Sequence, residues 1–265
     1  MPEPTVLHAY GLVDPDAALD LPDGGLDGAP VQVLRTETIA VLVSSLDAER
    51  YGVEVWRDHG QDPHWLEGVA REHHEVLQAV VEQADVVPLR LPGIYQDRSA
   101  LESVLHKEQA TFEAALARVR GRVEWGAKVF LVDPTASQPA QEPAAPRSGR
   151  DYLARKSAQA TAREESRARR QDLVLEAHET LSHTSGATVV NAPQDRALSG
   201  RAEPMLLNAA YLVARGNGDA FLRLAEDVAE RLREDGMSLE VTGPWPPYNF
   251  AAEAEPRRTA EHAEP

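Results

Sequence analysis

The sequence has no cysteine among its 265 residues. That excludes disulfides, thiolate metal sites and cysteine nucleophiles, and it suits a reducing compartment. Aromatic residues are scarce at 5%, so any cluster of them carries information about where large apolar area is spent. No apolar run approaches the ~20 residues needed to span a bilayer. The opening Met1-Pro2-Glu3-Pro4 has neither the basic start nor the apolar stretch of a secretory signal. Cationic residues are in deficit. The 27 Lys and Arg against 43 Asp and Glu give a formal net charge of −16, whereas a general nucleic-acid binder is usually basic. What is present is a hydrophobic content of 42%, enough for a packed core. The expectation is a soluble, acidic, cytoplasmic protein without a membrane insertion.

Composition divides the chain. Residues 133–148 read DPTASQPAQEPAAPRS, too poor in apolar surface to offset chain entropy, and are expected to be a Pro/Ala-rich linker. Residues 251–265 are expected to be a disordered tail on the same ground. The block 1–132 opens on a strand from Thr5 to Val13. Asp23-Gly24-Gly25-Leu26-Asp27-Gly28 then forms a loop, and Val31 to Val43 alternate around Thr36-Glu37 as a hairpin. Asp62 caps a helix with Pro63 in its first turn. Leu66, Val69, Ala70, His73, Leu77, Val80 and Ala84 share one face of that helix. Val86 to Leu91 gives a short strand. Ser99 and Glu102 match a capping box for a second helix from Leu101 to Val119, which Gly121 stops. Val123 to Leu131 alternate as a closing strand of this first domain. The block 149–250 begins with a long polar helix over roughly Asp151 to Leu181. Strands follow at Ala187–Val190 and Leu206–Ala214, then a helix from Asp219 stopped at Gly236, and a last strand with Met237, Leu239 and Val241. The fold class expected is α+β: two ferredoxin-like domains, each an antiparallel sheet with helices, at 1–132 and 149–250.

Reactive constellations are hard to find. His59, His64, His73 and His74 lie near Asp58, Asp62, Glu67 and Glu72. Adjacent His73 and His74 diverge by about 100° on a helix and do not readily share an ion. His73 falls on the apolar stripe and reads as a hydrogen-bonded core histidine. The Gly24–Gly28 loop lacks both the phosphate-loop and the dinucleotide spacing. No G-x-S-x-G elbow is present. No cofactor, metal or catalytic residue is therefore assigned.

Two features are left. From Arg147 to Arg170, eight basic residues meet three acidic ones, a local balance of +5 against −21 for the rest of the chain. Lys156, Arg163 and Arg170 recur every seven residues on one helical face, as either a solvated surface or a dock for an acidic protein partner; nucleic acid is a weaker third reading, because the rest of the chain repels it. At the other end, Thr242-Gly243-Pro244-Trp245-Pro246-Pro247-Tyr248-Asn249-Phe250 combines three prolines with three aromatics. It reads as a docked terminal segment or as a binding patch.

That ending resembles the C-terminal signature of the gas vesicle GvpL/GvpF family. Other segments match the family in the same order. They are Trp65 with His74-x-Val76-Leu77, then Val87-Pro88-Leu89-Arg90, Glu124 to Val129, Gly149 with Tyr152, Leu153, Arg155 and Lys156, and Leu207 to Val213. Where the family commonly continues Phe-Gly-Thr after the arginine, this chain has Leu91-Pro92-Gly93. The resemblance spans about Val6 to Phe250. It implies a non-enzymatic, chaperone-like accessory protein of gas vesicle assembly, cytoplasmic and vesicle-associated. The partners it implies are the small hydrophobic shell protein GvpA and other vesicle proteins. Candidate partner-binding residues are Arg155, Lys156, Arg163 and Arg170 for polar contacts and Trp245 and Tyr248 for apolar ones. Trp125 is expected in a core, and Glu124 is expected to pair with Arg90. The competing reading from the fold is a small-molecule-binding or regulatory ferredoxin-like module.

Overall fold

A short apolar run makes β1 (Thr5–Val13), which has paired neighbours on both sides in the first sheet, and its last six residues are all buried in the computed structural model. The structure describes residues 4–133, 149–194 and 200–251. Within them the chain forms two compact units, residues 4–124 with 244–251, and residues 125–243.

In unit 1, β2 (Gln32–Arg35) and β3 (Ala40–Asp47) form the expected hairpin. β3 and β4 (Val86–Pro88) both pair antiparallel with β1, giving the order β2-β3-β1-β4, and the short β5 (Ile94–Tyr95) also pairs with β1. Two short helices, α1 (Ala48–Tyr51) and α2 (Val53–His59), precede α3 (Pro63–Val81). Asp62 caps α3 as expected, its carboxylate accepting from the His64 N–H at 3.0 Å. Val69, His73, Val76, Leu77, Val80 and Val81 are the buried face of α3, packed on β1 and β4. Gly11 permits that packing: a Cβ there would lie 2.7 Å from Leu77 Cδ2 and 2.9 Å from the Val87 carbonyl.

The expected second helix is two, α4 (Arg98–Lys107) and α5 (Gln109–Val119), broken at Glu108. Its cap is not the Ser99–Glu102 box. Asp97, two residues upstream, accepts from the Ala100 N–H at 2.8 Å, which places Ser99 inside the first turn, and Glu102 pairs instead with Arg98 at 2.7 Å.

A bulge in β1 falls between Ala9 and Gly11, and a bulge re-aims a side chain. Tyr10 Oη accepts from the Leu26 N–H at 2.8 Å and donates to Ser44 Oγ at 2.9 Å. It thereby pins the Gly24–Gly28 loop, a 3-10 turn at Leu26–Gly28, to the sheet. Gly25 is required there, because a Cβ would overlap Tyr10 Oη. Tyr10→Phe removes the partner of a buried N–H and is expected to lower unfolding free energy by about 1–3 kcal/mol. A urea midpoint equal to that of the unsubstituted protein would show that the loop is not held this way.

The largest departure from the sequence reading is β6 (Arg122–Leu131). It was expected to close the first sheet, but it pairs in the second, whose order is β7-β8-β6-β9. The other strands are β7 (Ala187–Val190), β8 (Met205–Ala214) and β9 (Met237–Trp245). The helices of unit 2 are α6 (Gly149–Ser182) and α7 (Gly218–Glu234). Unit 2 therefore opens on a strand and not on α6. By order of appearance, both sheets run second-third-first-fourth. In unit 1 a loop occupies the place that α6 takes in unit 2. The core of unit 2 joins Trp125, Tyr211 and Phe221, with ring centroids 5.6–5.8 Å apart. Trp125, 7% exposed, is the core residue expected.

The chain leaves unit 1 within β6, after Glu124, and rejoins it within β9, after Gly243. The expected boundaries at 132 and 149 thus differ from the division observed. The expected linker, 133–148, lies outside the described residues except for Asp133, and the expected tail lies outside them except for Ala251, which is buried.

Candidate functional site

Residues 150–185 contain no proline and no glycine, and their Ala, Arg, Glu and Leu content favours a helix. The 34 residues of α6 extend about 51 Å at 1.5 Å per residue. Burial is confined to one part of it. Ser166, Val174, Ala177 and Leu181 are buried, the seam against β8 and α7. Upstream, no described side chain from Arg150 to Glu165 is buried.

The structure places the four expected cationic residues along this helix. Lys156 and Arg163 are exposed, and Arg155 and Arg170 are half-buried. Arg170 Nη1 donates to Ser166 Oγ at 2.7 Å. Arg163 lines two adjoining hollows. The smaller, of about 400 Å³, is bounded among the described residues by α6, with Tyr152, Arg155, Lys156, Gln159 and Ala160. The larger, of about 1060 Å³, lies where α6 faces Leu131 at the end of β6 and Leu206 at the start of β8, and Arg167, Arg170, Val174 and Leu175 line its helical side. Among the described residues, the lining of both hollows has five cations and two carboxylates, Glu164 and Asp172. Arg169 turns the other way and pairs with Asp235 at 2.8 Å. The heptad spacing of the basic residues was legible in the sequence. The apolar floor was not, because Leu131 and Leu206 lie 75 residues apart and meet α6 only through the sheet.

Trp245 and Tyr248 are not on this groove. After Gly243 the chain belongs to unit 1, where Pro246, Pro247 and Phe250 are buried. The His74 ring lies 5.4 Å from that of Trp245, and His74 Nδ1 is 3.0 Å from Tyr248 Oη. Gln78 Nε2 donates to the Pro244 carbonyl at 3.2 Å. Glu124 completes the anchorage. Its carboxylate accepts from the Asn249 N–H at 2.8 Å and from Asn249 Nδ2 at 2.6 Å. Asn249, and not the expected Arg90, is its partner. Burial pushes the Glu124 carboxyl up to about 7, against the two hydrogen bonds that favour its charged form.

The histidine cluster resolves differently. His73 is buried, as expected, and its Nδ1 lies 2.9 Å from Nε2 of His8, which the sequence reading had not singled out. One ring donates and the other accepts, so the two cannot both be protonated at the facing nitrogens. Burial, and then the proximity of His73, lowers His8 to about 3, and burial lowers His73 to about 4. The outer nitrogens, His8 Nδ1 and His73 Nε2, have no hydrogen-bond partner, although the Pro92 and Leu89 carbonyls lie nearby. Among the described residues no group of three or more His, Asp or Glu is placed to hold a metal. No helix among them is long and apolar enough to cross a membrane.

The chain is a mixed helix-and-sheet protein with antiparallel-type sheets, and its second unit presents a cationic groove with an apolar floor. Comparison with known proteins supplies the family. The model for the gas vesicle synthesis proteins GvpL/GvpF matches residues 6–252, and the chain belongs to that family. It is 36% identical over 240 residues to gas vesicle protein L of a Streptomyces species, covering 89% of each chain. It is 28% identical over 247 residues to gas vesicle protein F2 of Halobacterium salinarum, covering 92% of this chain and 91% of that one. The crystal structure of GvpF from an Anabaena species superposes with a TM-score of 0.66 at 17% identity, covering 93% of this chain and 96% of that one. That likeness concerns the fold.

Proposed function

We propose that the chain is a non-enzymatic, chaperone-like accessory protein of gas vesicle formation that acts in the cytoplasm and at the forming vesicle. It holds the hydrophobic shell protein GvpA, and other vesicle proteins, through α6. The observation that carries this reading is the cationic face of α6 beside an apolar floor, in a chain whose net charge is −16. Apolar shell subunits aggregate unless their exposed surface is covered. The negative remainder of the chain keeps such a complex in solution by self-repulsion. Arg155, Lys156, Arg163 and Arg170 supply the polar contacts. Trp245 and Tyr248 fasten the end of the chain to unit 1, and Tyr248, 36% exposed, retains an edge for a partner. Both units are read as variants of the ferredoxin-like fold. The β-α-β-β-α-β order of unit 2 and the shared strand order support this.

Reversing Lys156, Arg163 and Arg170 to Glu tests the assignment in cells co-expressing the shell protein. Co-purified shell protein and vesicle yield are expected to fall at least about tenfold, as for several lost charge contacts, with circular dichroism and melting unchanged. Undiminished co-purification by a folded variant would overturn the reading.

A further inference from the structure

The larger hollow offers more than charge. Leu175 is 60% exposed and Leu206 is 37% exposed, and both lie in its lining with Leu131 and Val174. Arg163 and Arg167 form no ion pair or hydrogen bond with any described residue. The floor is apolar and its border is cationic, so an occupant must be apolar on one side and acidic along its flank.

The backbone of the groove narrows the choice of occupant. The Leu131 N–H is already bonded to the Pro204 carbonyl at 2.9 Å, and α6 satisfies its own backbone along its length. An extended segment that binds by adding a strand would find little backbone to pair with. A helix has its backbone satisfied internally and needs only side chains to pack on. The stripe from Tyr152 to Leu175 is about 35 Å long at 1.5 Å per residue, which accommodates roughly six turns.

We infer that the α6 groove receives an amphipathic helix of a partner protein, laid along α6 with its leucine-like face on Leu131, Val174, Leu175 and Leu206 and its carboxylates against Arg163, Arg167 and Arg170. This deepens the proposed function and rests on the reading that the protein holds another protein. The carboxylates meet the guanidinium groups in a site where the apolar side chains exclude water, which favours bidentate pairing. Lysine in place of the partner's acids would meet like charge, so the groove discriminates by repulsion as well as attraction.

The test uses the full chain and three synthetic 21-residue helical peptides, followed by fluorescence anisotropy. One carries leucine at every a and d position with glutamate flanks. The second replaces the glutamates by lysine, and the third replaces the leucines by serine. The first is expected to bind at least about tenfold more tightly than either of the others. The double variants Arg163→Glu with Arg167→Glu, and Leu175→Ser with Leu206→Ser, are each expected to weaken it by about tenfold or more. Equal binding of all three peptides, no binding of any, or unaltered binding by both folded variants would overturn the inference. Co-purification of shell protein with the leucine variant distinguishes the two levels. If it persists while peptide binding is lost, the groove takes a helix that is not needed to hold the shell protein. If the unsubstituted chain retains no shell protein although the peptide binds, the proposed function fails and the groove stands.

Discussion

Unit 1 is expected to lose stability as the pH falls from 6.5 to 4.5, with a modest net slope. That slope is the difference between opposing titrations. His8 and His73 have pKa values of about 3 and about 4 in the folded chain, against an ordinary value of 6.5. Below pH 6.5 the unfolded chain therefore takes up two protons that the folded chain refuses, and stability is lost as pH falls until the folded values are reached. Glu124 acts the other way. Its carboxyl is raised to about 7 from 4.5, so between those values the folded chain holds a proton that the unfolded chain has released, and stability falls as pH rises. His74, lowered by its partial burial, adds to the same side, so between pH 4.5 and 6.5 the histidines outweigh the one proton held by Glu124. Glu124→Gln removes the opposing contribution and is expected to steepen the slope. Hydrogen exchange of β1 and α3 amides across this pH range, with urea midpoints alongside, measures both. A flat profile would show that the buried histidines do not govern the acid response, and an unchanged slope in Glu124→Gln would show that Glu124 does not oppose them.

The second large effect is expected at the end of the chain. Phe250 is 5% exposed and lies in the 3-10 turn at Tyr248–Phe250, which packs on α5. Truncating a buried phenylalanine to alanine costs about 3–5 kcal/mol through lost transfer energy and the cavity left behind. Phe250→Ala is therefore expected to destabilise unit 1 by about that amount. Asn249→Ala removes the side-chain half of the Glu124 contact at 2.6 Å and is expected to cost about 1–3 kcal/mol, since it strips one donor from a buried carboxylate. Exchange protection should fall in α3 and α5, while the amides of β7 and β8 in unit 2 keep theirs. Loss of protection only in unit 2, or in neither unit, would contradict the assignment of this segment to unit 1. The same variants separate two roles for Trp245 and Tyr248. If shell-protein binding survives while unit 1 is weakened, these aromatics serve the fold.

The seven-residue recurrence of Lys156, Arg163 and Arg170 and the absence of helix breakers in α6 were legible because both are local properties of one helix. So were the apolar runs of β1 and β8, which are buried almost throughout, and the alternation in β6, where the strand's own period of two marks its buried side. Trp125 was correctly placed in a core by that alternation, but its sheet was not. Val123 to Leu131 alternate equally well whichever sheet they join, since periodicity fixes which face is buried and not which neighbour buries it. His8 escaped notice because it sits 65 residues from His73 within an apolar strand that gives no sign of a partner.

By itself the sequence determined the acidic character, the types of the longer elements, the glycine stops at Gly121 and Gly236, and the resemblance to the family. All of these follow from composition, short-range periodicity and ordered motifs. The tertiary structure decided three things. It placed β6 in the second sheet, returned the Trp245–Phe250 segment to the first unit, and gave the cationic face of α6 an apolar floor from Leu131 and Leu206. Each depends on contacts between residues far apart in the chain, which strand pairing and packing select and local pattern does not encode.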